Sequence, residues 1–132
     1  MASLRRTGLA RLRKLCLALP EAEEKIAWDD PTFRVRNKIF AMHKIGDGRP
    51  SLWCKSDVSE RDGLVESQPD VFYVPPYVGS KGWIGVRLDA PALDWARVSA
   101  IVFESYRRIA PKRLGAALDP RTVLKNRKSG LT

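Results

Sequence analysis

The stretch Pro75-Pro76-Tyr77-Val78-Gly79-Ser80-Lys81-Gly82-Trp83-Ile84-Gly85-Val86-Arg87-Leu88 decides how the chain is read. The two prolines end any strand that precedes them, because proline cannot donate to a ladder. Gly79 and Gly82 frame a turn that carries one cation and delivers the chain to an aromatic residue. From Trp83 to Leu88 aliphatic residues alternate with small, polar or aromatic ones, which is the period of a strand with one face on a core. Such a strand closes a sheet and displays a chemical edge at its turn.

Working upstream, Leu9, Leu12, Leu15, Cys16 and Leu19 recur at three- and four-residue spacing, the stripe of an amphipathic helix. Thr7 or Ser3 is available as its cap, and Pro20 stops it. From Glu23 to Lys55 the period becomes two. The expected pieces are a strand over 24–28, a turn at Asp29-Asp30-Pro31, and a strand Thr32-Phe33-Arg34-Val35-Arg36 with apolar residues inward and cations outward. Asn37 then turns the chain, Lys38 to Ile45 returns with Phe40 and Met42 on one face, Gly46-Asp47-Gly48 turns it again, and Ser51 to Lys55 follows. The result is an antiparallel meander.

Asp57 with Glu60 three residues later has capping-box spacing for a short helix that ends near Ser67 and is weakened by Gly63. Val71-Phe72-Tyr73-Val74 is a strand that leads into the prolines. After Asp89-Ala90-Pro91, Asp94 caps a last helix with Trp95, Val98, Ile101, Val102, Tyr106 and Ile109 on its apolar stripe, and Pro111 stops it. Hairpin strands with helices segregated around them imply an α+β two-layer sandwich, with an antiparallel sheet of five to six strands and the helices on one face.

The 132 residues make one domain, placed at 1–115, followed by a basic C-terminal tail at 116–132 that is expected to be flexible. The formal charge of +9 resides in the ends: residues 1–14 carry +5, residues 111–132 another +5, and residues 15–110 sum to −1. Basic ends attract phosphate without regard to sequence, and they also keep a small protein soluble. Cys16 and Cys54 lie in apolar patterns with no CxxC, so reduced core thiols are expected. No apolar run approaches the length of a membrane span, and the N-terminal residues lack a cleavable apolar core, so a cytoplasmic protein is expected, as a monomer.

The blocks Asp30-Pro31-Thr32-Phe33-Arg34-Val35, Lys38-Ile39-Phe40-Ala41, Tyr77-Val78-Gly79, Gly82-Trp83 and Ser105-Tyr106 resemble the MmcQ/YjbR family of small bacterial proteins, and the likeness extends over residues 9–115. The resemblance implies a fold similar to that of CyaY and frataxin, described for this family as a double wing that binds DNA. It implies no settled enzymatic activity. Many members carry a His and an Asn in the turn before the Trp, where this chain reads Gly79-Ser80-Lys81-Gly82.

A double-wing reader of DNA needs cations on strand edges and hairpin tips, with polar or aromatic groups between them. The candidates are Arg34, Arg36 and Lys38 around the Asn37 turn, Arg49 near Gly48, and Tyr77, Lys81, Trp83 and Arg87 on the final hairpin. Arg34 and Arg36 are two apart and are expected on one face of their strand. Against this stands the ordinary solvation of a sheet face by arginine. Trp53 and Trp83 fall on the phase opposite Leu52, Cys54, Ile84 and Val86, where an aromatic either stacks on a ligand or packs beside arginine stems, while Trp95 belongs to a helix stripe and Trp28 to a strand end.

Iron binding, the role associated with frataxin-like proteins, would fall to Glu21, Glu23, Glu24, Asp29 and Asp30, which lie on a loop and a strand of alternating direction, so no metal site is expected. His43 is in phase with Ile39, Ala41 and Ile45 and reads as a partly buried, hydrogen-bonded side chain. With no catalytic motif or spacing present, neither an enzyme nor a cofactor is expected. The function this reading supports is weak DNA binding through cationic hairpins. The alternative is a small-ligand or protein-interaction module with no nucleic-acid role.

Overall fold

The structure, a computed structural model, describes residues 8–46 and 48–116. Its elements are α1 (Leu9–Leu17), β1 (Ala22–Ala27), β2 (Asp30–Val35), β3 (Lys38–Gly46), β4 (Arg49–Lys55), α2 (Val58–Ser67), β5 (Phe72–Tyr73), a 3₁₀ turn (Gly79–Lys81), β6 (Trp83–Arg87), α3 (Trp95–Ile109) and α4 (Lys112–Ala116). The strands form one six-stranded sheet in the order β1-β2-β3-β4-β6-β5, antiparallel throughout. The expected α+β class is therefore the observed one. Among the described residues no helix is long and apolar enough to cross a membrane. The tail and the caps expected at Ser3 and Thr7 lie outside the described residues; α1 begins instead on Gly8, whose φ of 80° is open to glycine.

Burial follows from the two periods in the sequence. Leu9, Leu12 and Cys16 of α1 and Val98, Ile101, Val102 and Tyr106 of α3 pack on one face of the sheet, against Phe33, Val35, Ala41, Leu52, Cys54, Ile84 and Val86. Both helix caps read from the sequence are formed: the N–H of Glu60 donates to Asp57 Oδ1 at 3.0 Å and that of Ala96 to Asp94 Oδ1 at 2.9 Å. Both cysteines are free and buried, and burial pushes both thiols up, so they stay protonated. His43 shares the core face with Ala41 and Ile45 but not with Ile39, which pairs with Arg34 on the other face, and it is fully buried rather than partly so, opposite Leu52.

Three local readings are corrected. The first hairpin turns at Trp28-Asp29, not at Asp29–Pro31. Both residues are left-handed (φ 53° and 66°), and Asp30 and Pro31 already pair with Ala27 and Ile26. The second hairpin does the same with Arg36 and Asn37 (φ 50° and 66°). Two successive left-handed residues match the right-handed twist of a hairpin, and Asn and Asp tolerate that region better than most. Consequently Arg36 leaves the strand alternation, and Arg34 and Arg36 do not share a strand face.

The third correction concerns Phe40 and Met42. Register slips between Phe33/Arg34 and their partners, so that Phe33 faces Ala41 while Arg34 faces Ile39. Phe40 is the extra residue of a β-bulge. It enters the core together with Ala41, and Met42 falls on the opposite face, level with Trp53.

A bulge leaves polar backbone groups outside the ladder, and here Ser105 of α3 receives them. Its hydroxyl donates to the carbonyl of Phe40 at 2.5 Å and accepts from the N–H of Lys55 at 2.9 Å. The next residue, Tyr106, sets its ring edge-on to Phe40 at 5.3 Å and donates its hydroxyl to the carbonyl of Pro20 at 2.6 Å. Removing a partner from a buried polar group costs about 1–3 kcal/mol. Ser105→Ala should therefore lower the stability in urea by about 2 kcal/mol, whereas Ser80→Ala at an exposed site should change it by less than about 0.5 kcal/mol. Equal midpoints for the two variants would show that the Ser105 bridge contributes nothing.

Candidate nucleic-acid interface

Helices cover one face of the sheet, and the register identifies what the other displays. One row across it runs Lys25, Thr32, Met42, Trp53, Gly85, Tyr73. The adjoining rows place Lys44, Ser51 and Arg87 on one side, and Lys55 with Trp83 on the other. Glu23 and Arg34 lie opposite each other further out, and Asp30 reaches Lys44 at 3.0 Å. Six cations, Lys25, Arg34, Lys44, Arg49, Lys55 and Arg87, thus share this face with the carboxylates Glu23 and Asp30, and Arg49 meets a third, Asp89. Cations thus outnumber carboxylates on this face, although residues 15–110 are close to neutral in sum.

The long side chains lie flat. Tyr73 covers Gly85, where an added Cβ would come within 2.5 Å of the ring, so only glycine admits the ring this close to the backbone. The indole Nε1 of Trp53 donates to the Tyr73 hydroxyl at 2.6 Å, and that hydroxyl donates to Ser51 Oγ at 2.8 Å. Cations rest on both rings, Lys44 over Trp53 at 5.2 Å and Arg87 over Tyr73 at 4.5 Å. Such contacts hold the aliphatic stems down and leave the charged heads at the surface. Trp53 is only 8% exposed in consequence, whereas Trp83 stays half-buried.

At the end of this face, the segment from Pro75 to Gly82 is fastened by Arg61 of α2. Its buried guanidinium donates to the carbonyls of Gly79 at 2.6 Å and Trp83 at 3.2 Å, and it pairs with Asp62 at 3.0 Å. Gly82, with φ 87°, accepts from the N–H of Ser56 through its carbonyl at 2.9 Å. The loop so held presents Tyr77, 93% exposed and left-handed at φ 67°. A bulky residue in that conformation costs on the order of 1 kcal/mol, which the surrounding hydrogen bonds sustain.

The residues expected to meet a phosphate backbone separate into two sets. Arg36 is held by Glu21 in a two-pronged pair at 2.6 and 3.2 Å, and Arg49 by Asp89 at 2.8 to 3.2 Å. Hydrogen bonding from these guanidinium groups holds the Glu21 and Asp89 carboxyls below their ordinary range. Arg34, Trp83 and Arg87 lie on the helix-free face. Arg34 donates to Thr32 Oγ1 at 3.1 Å. Tyr77 and Lys81 are exposed at its rim, with the Lys81 carbonyl accepting from Lys55 Nζ at 2.5 Å, whereas Lys38, also exposed, pairs with the core residue Val35 and takes the helix-side phase.

Lys25, Lys44, Lys55, Tyr73 and Arg61 are not among the residues the sequence pattern singles out. Phase with Trp53 and Trp83 marks Lys44, Lys55 and Arg87 as co-facial, whereas nothing local marks Arg61. Concavities lined by Glu21, Ala22, Glu23, Arg36 and Asn37, and by residues around Lys55, Glu60, Arg97 and Glu104, do not include His43, Tyr77 or Trp83. Among the described residues no three or more His, Cys, Asp or Glu side chains group so as to hold a metal ion.

Because Tyr73 is seated on Gly85, Gly85→Ala should lift the ring, break the Trp53–Tyr73–Ser51 chain and destabilise the protein by about 1–3 kcal/mol. In a Tyr73→Ala background the same change should cost less than half as much. Additive costs in this double-mutant cycle would show that the two positions do not contact each other.

Comparison with known proteins places this geometry. A sequence profile of the family YjbR matches residues 17–108, which is more than half of the chain. A search of curated proteins finds no match. Among solved structures, a crystal structure of a Deinococcus radiodurans protein with the family domain DUF419 superposes with a TM-score of 0.67. It is 21% identical and covers 77% of this chain and 78% of its own. At that identity the likeness is one of fold. The profile match includes the bulge, both left-handed hairpins, the Gly79–Trp83 loop and Ser105-Tyr106, and the chain belongs to the YjbR family.

Proposed function

We propose that the helix-free face of the sheet binds nucleic acid, weakly and chiefly through phosphate. What supports this reading is the excess of cations over carboxylates on that one face, arranged around half-buried aromatic rings. Lys25, Arg34, Lys55 and Arg87 supply the charge, Lys81 extends it at the rim, and Trp83 with Tyr77 offers surfaces on which bases stack. Arg36, Lys44 and Arg49 contribute less, since each already pairs with a carboxylate in the same chain. On this reading the hairpin ends that carry Arg36 and Arg49 are neutralised, and the sheet between them supplies the attraction.

Titration of fluorescent duplex and single-stranded DNA at low and moderate salt tests the proposal. If about three phosphates are met, log K should fall with log salt at a slope of about −3. Combining Arg34→Ala, Lys55→Ala and Arg87→Ala should weaken binding at low salt at least about tenfold, whereas the charge-neutral pair Glu21→Ala with Arg36→Ala should leave it within about twofold. No binding at low salt, or a triple variant that binds like the wild type, would remove the proposal. Loss of all binding on removing residues 117–132 alone would assign it to the tail instead.

A further inference from the structure

β1 is an edge strand of the sheet, and large exposed apolar residues stand near its end and in the turn that follows, Ile26 at 65% and Trp28 at 76%. An exposed strand edge of this kind is a template for pairing. We infer that β1 pairs antiparallel with β1 of a second copy of this chain, about a two-fold axis through Glu24 and perpendicular to the sheet.

The hydrogen-bonding alternation selects the register. In a two-residue hairpin the closing pair, here Ala27–Asp30, is bonded, so Lys25–Thr32 and Glu23–Arg34 are bonded too, while Glu24 and Ile26 turn their N–H and C=O outward, as Ala22 does its C=O, its N–H donating to the Leu19 carbonyl at 3.2 Å. Two observations agree with this phase. Pro31, which has no N–H, sits opposite Ile26, and the Thr32 hydroxyl donates to the Lys25 carbonyl at 2.6 Å, so that carbonyl faces β2. Among the described residues the outward groups of Glu24 and Ile26 have no backbone partner.

A symmetric pairing that keeps each face of the sheet on its own side must be centred on a residue. Centred on Glu24, it overlaps the whole of β1 and brings outward groups together: Glu24 bonds Glu24, and the N–H of each Ile26 meets the carbonyl of an Ala22.

Charge agrees with that register. Glu23 comes opposite Lys25 twice on the helix-free face, an opposite-charge pair across adjacent strands. The two Glu24 side chains meet on the helix side, but each is already held by Arg13 in a two-pronged pair at 2.6 and 3.0 Å. Ile26 lies over the small Ala22 of the other copy, and Trp28 comes level with its Pro20, so both exposed apolar residues gain cover. The dimer has a continuous twelve-stranded sheet with both helix-free faces on the same side, whether or not that face binds nucleic acid.

Light scattering or sedimentation of the full chain from micromolar to millimolar concentration tests this. The mass should rise from 14.9 kDa toward twice that value. Glu23→Lys and Lys25→Glu each place like charges opposite one another, and each should stay at the monomer mass where the wild type pairs. An equimolar mixture of the two variants should pair again, because every substituted position then faces an opposite charge in the other chain. Both positions are exposed, so far-ultraviolet circular dichroism should be unchanged. A wild type that remains monomeric at millimolar concentration, single variants that dimerise like the wild type, or a mixture that stays monomeric would each overturn the inference.

Discussion

The sheet's two faces are defined by one backbone event, the bulge at Phe40. Strict alternation through β3 would put Phe40 and Met42 together; the extra residue sends Phe40 and Ala41 both to the core and delivers Met42 and Lys44 to the opposite side. A bulge is tolerable in a buried strand only if the backbone groups it frees are satisfied. Ser105 does this with one hydroxyl, and because it sits on α3, the irregular point of the sheet is also where the longest helix is fastened. Tyr106 extends the attachment to the Pro20 corner, so core packing, helix placement and the approach to β1 share one anchor.

That anchor explains how a domain of nearly balanced charge acquires a cationic face. Lys44 follows the bulge by a few residues, and its side chain lies over Trp53 because the phase was reset before it. Arg87 lies over Tyr73 because Gly85 lets the ring down onto the strand. The cations that look most exposed in the sequence behave differently. Arg36 is carried out of its strand by a left-handed turn and meets Glu21, and Arg49 meets Asp89 from 40 residues away. Exposed pairs of this kind add little to stability, but each removes a cation from the inventory available to phosphate.

Legibility tracked the range of the interaction. The helix stripes, the caps at Asp57 and Asp94 and the opposite phases of Trp53 and Leu52 depend on residues one to four apart, and they were readable. The hairpin turns were displaced because the left-handed residues are Trp28, Asp29, Arg36 and Asn37, with no glycine to mark them. Alternation alone puts Met42 beside Phe40, because a bulge has no composition signal of its own. Arg61, in a helix of otherwise exposed or half-buried residues, reads as a solvated cation; its burial depends on carbonyls that lie 18 and 22 residues further along.

The loop from Pro75 to Gly82 shows the division most clearly. Its prolines and glycines by themselves determined that a strand ends, a tight turn follows and another strand begins, since those are restrictions on φ and on donors that each residue carries wherever it is placed. The sequence likewise determined the two-layer α+β architecture, through periods of 3.6 and 2 that leave each element one apolar side to bury. Only the tertiary structure decided that the loop is fastened by a buried guanidinium, that Tyr77 stands in solvent, and that six cations share one face. Those outcomes depend on which side chains meet across the sheet, and that is set by register and by the packing of distant elements, which no local pattern encodes.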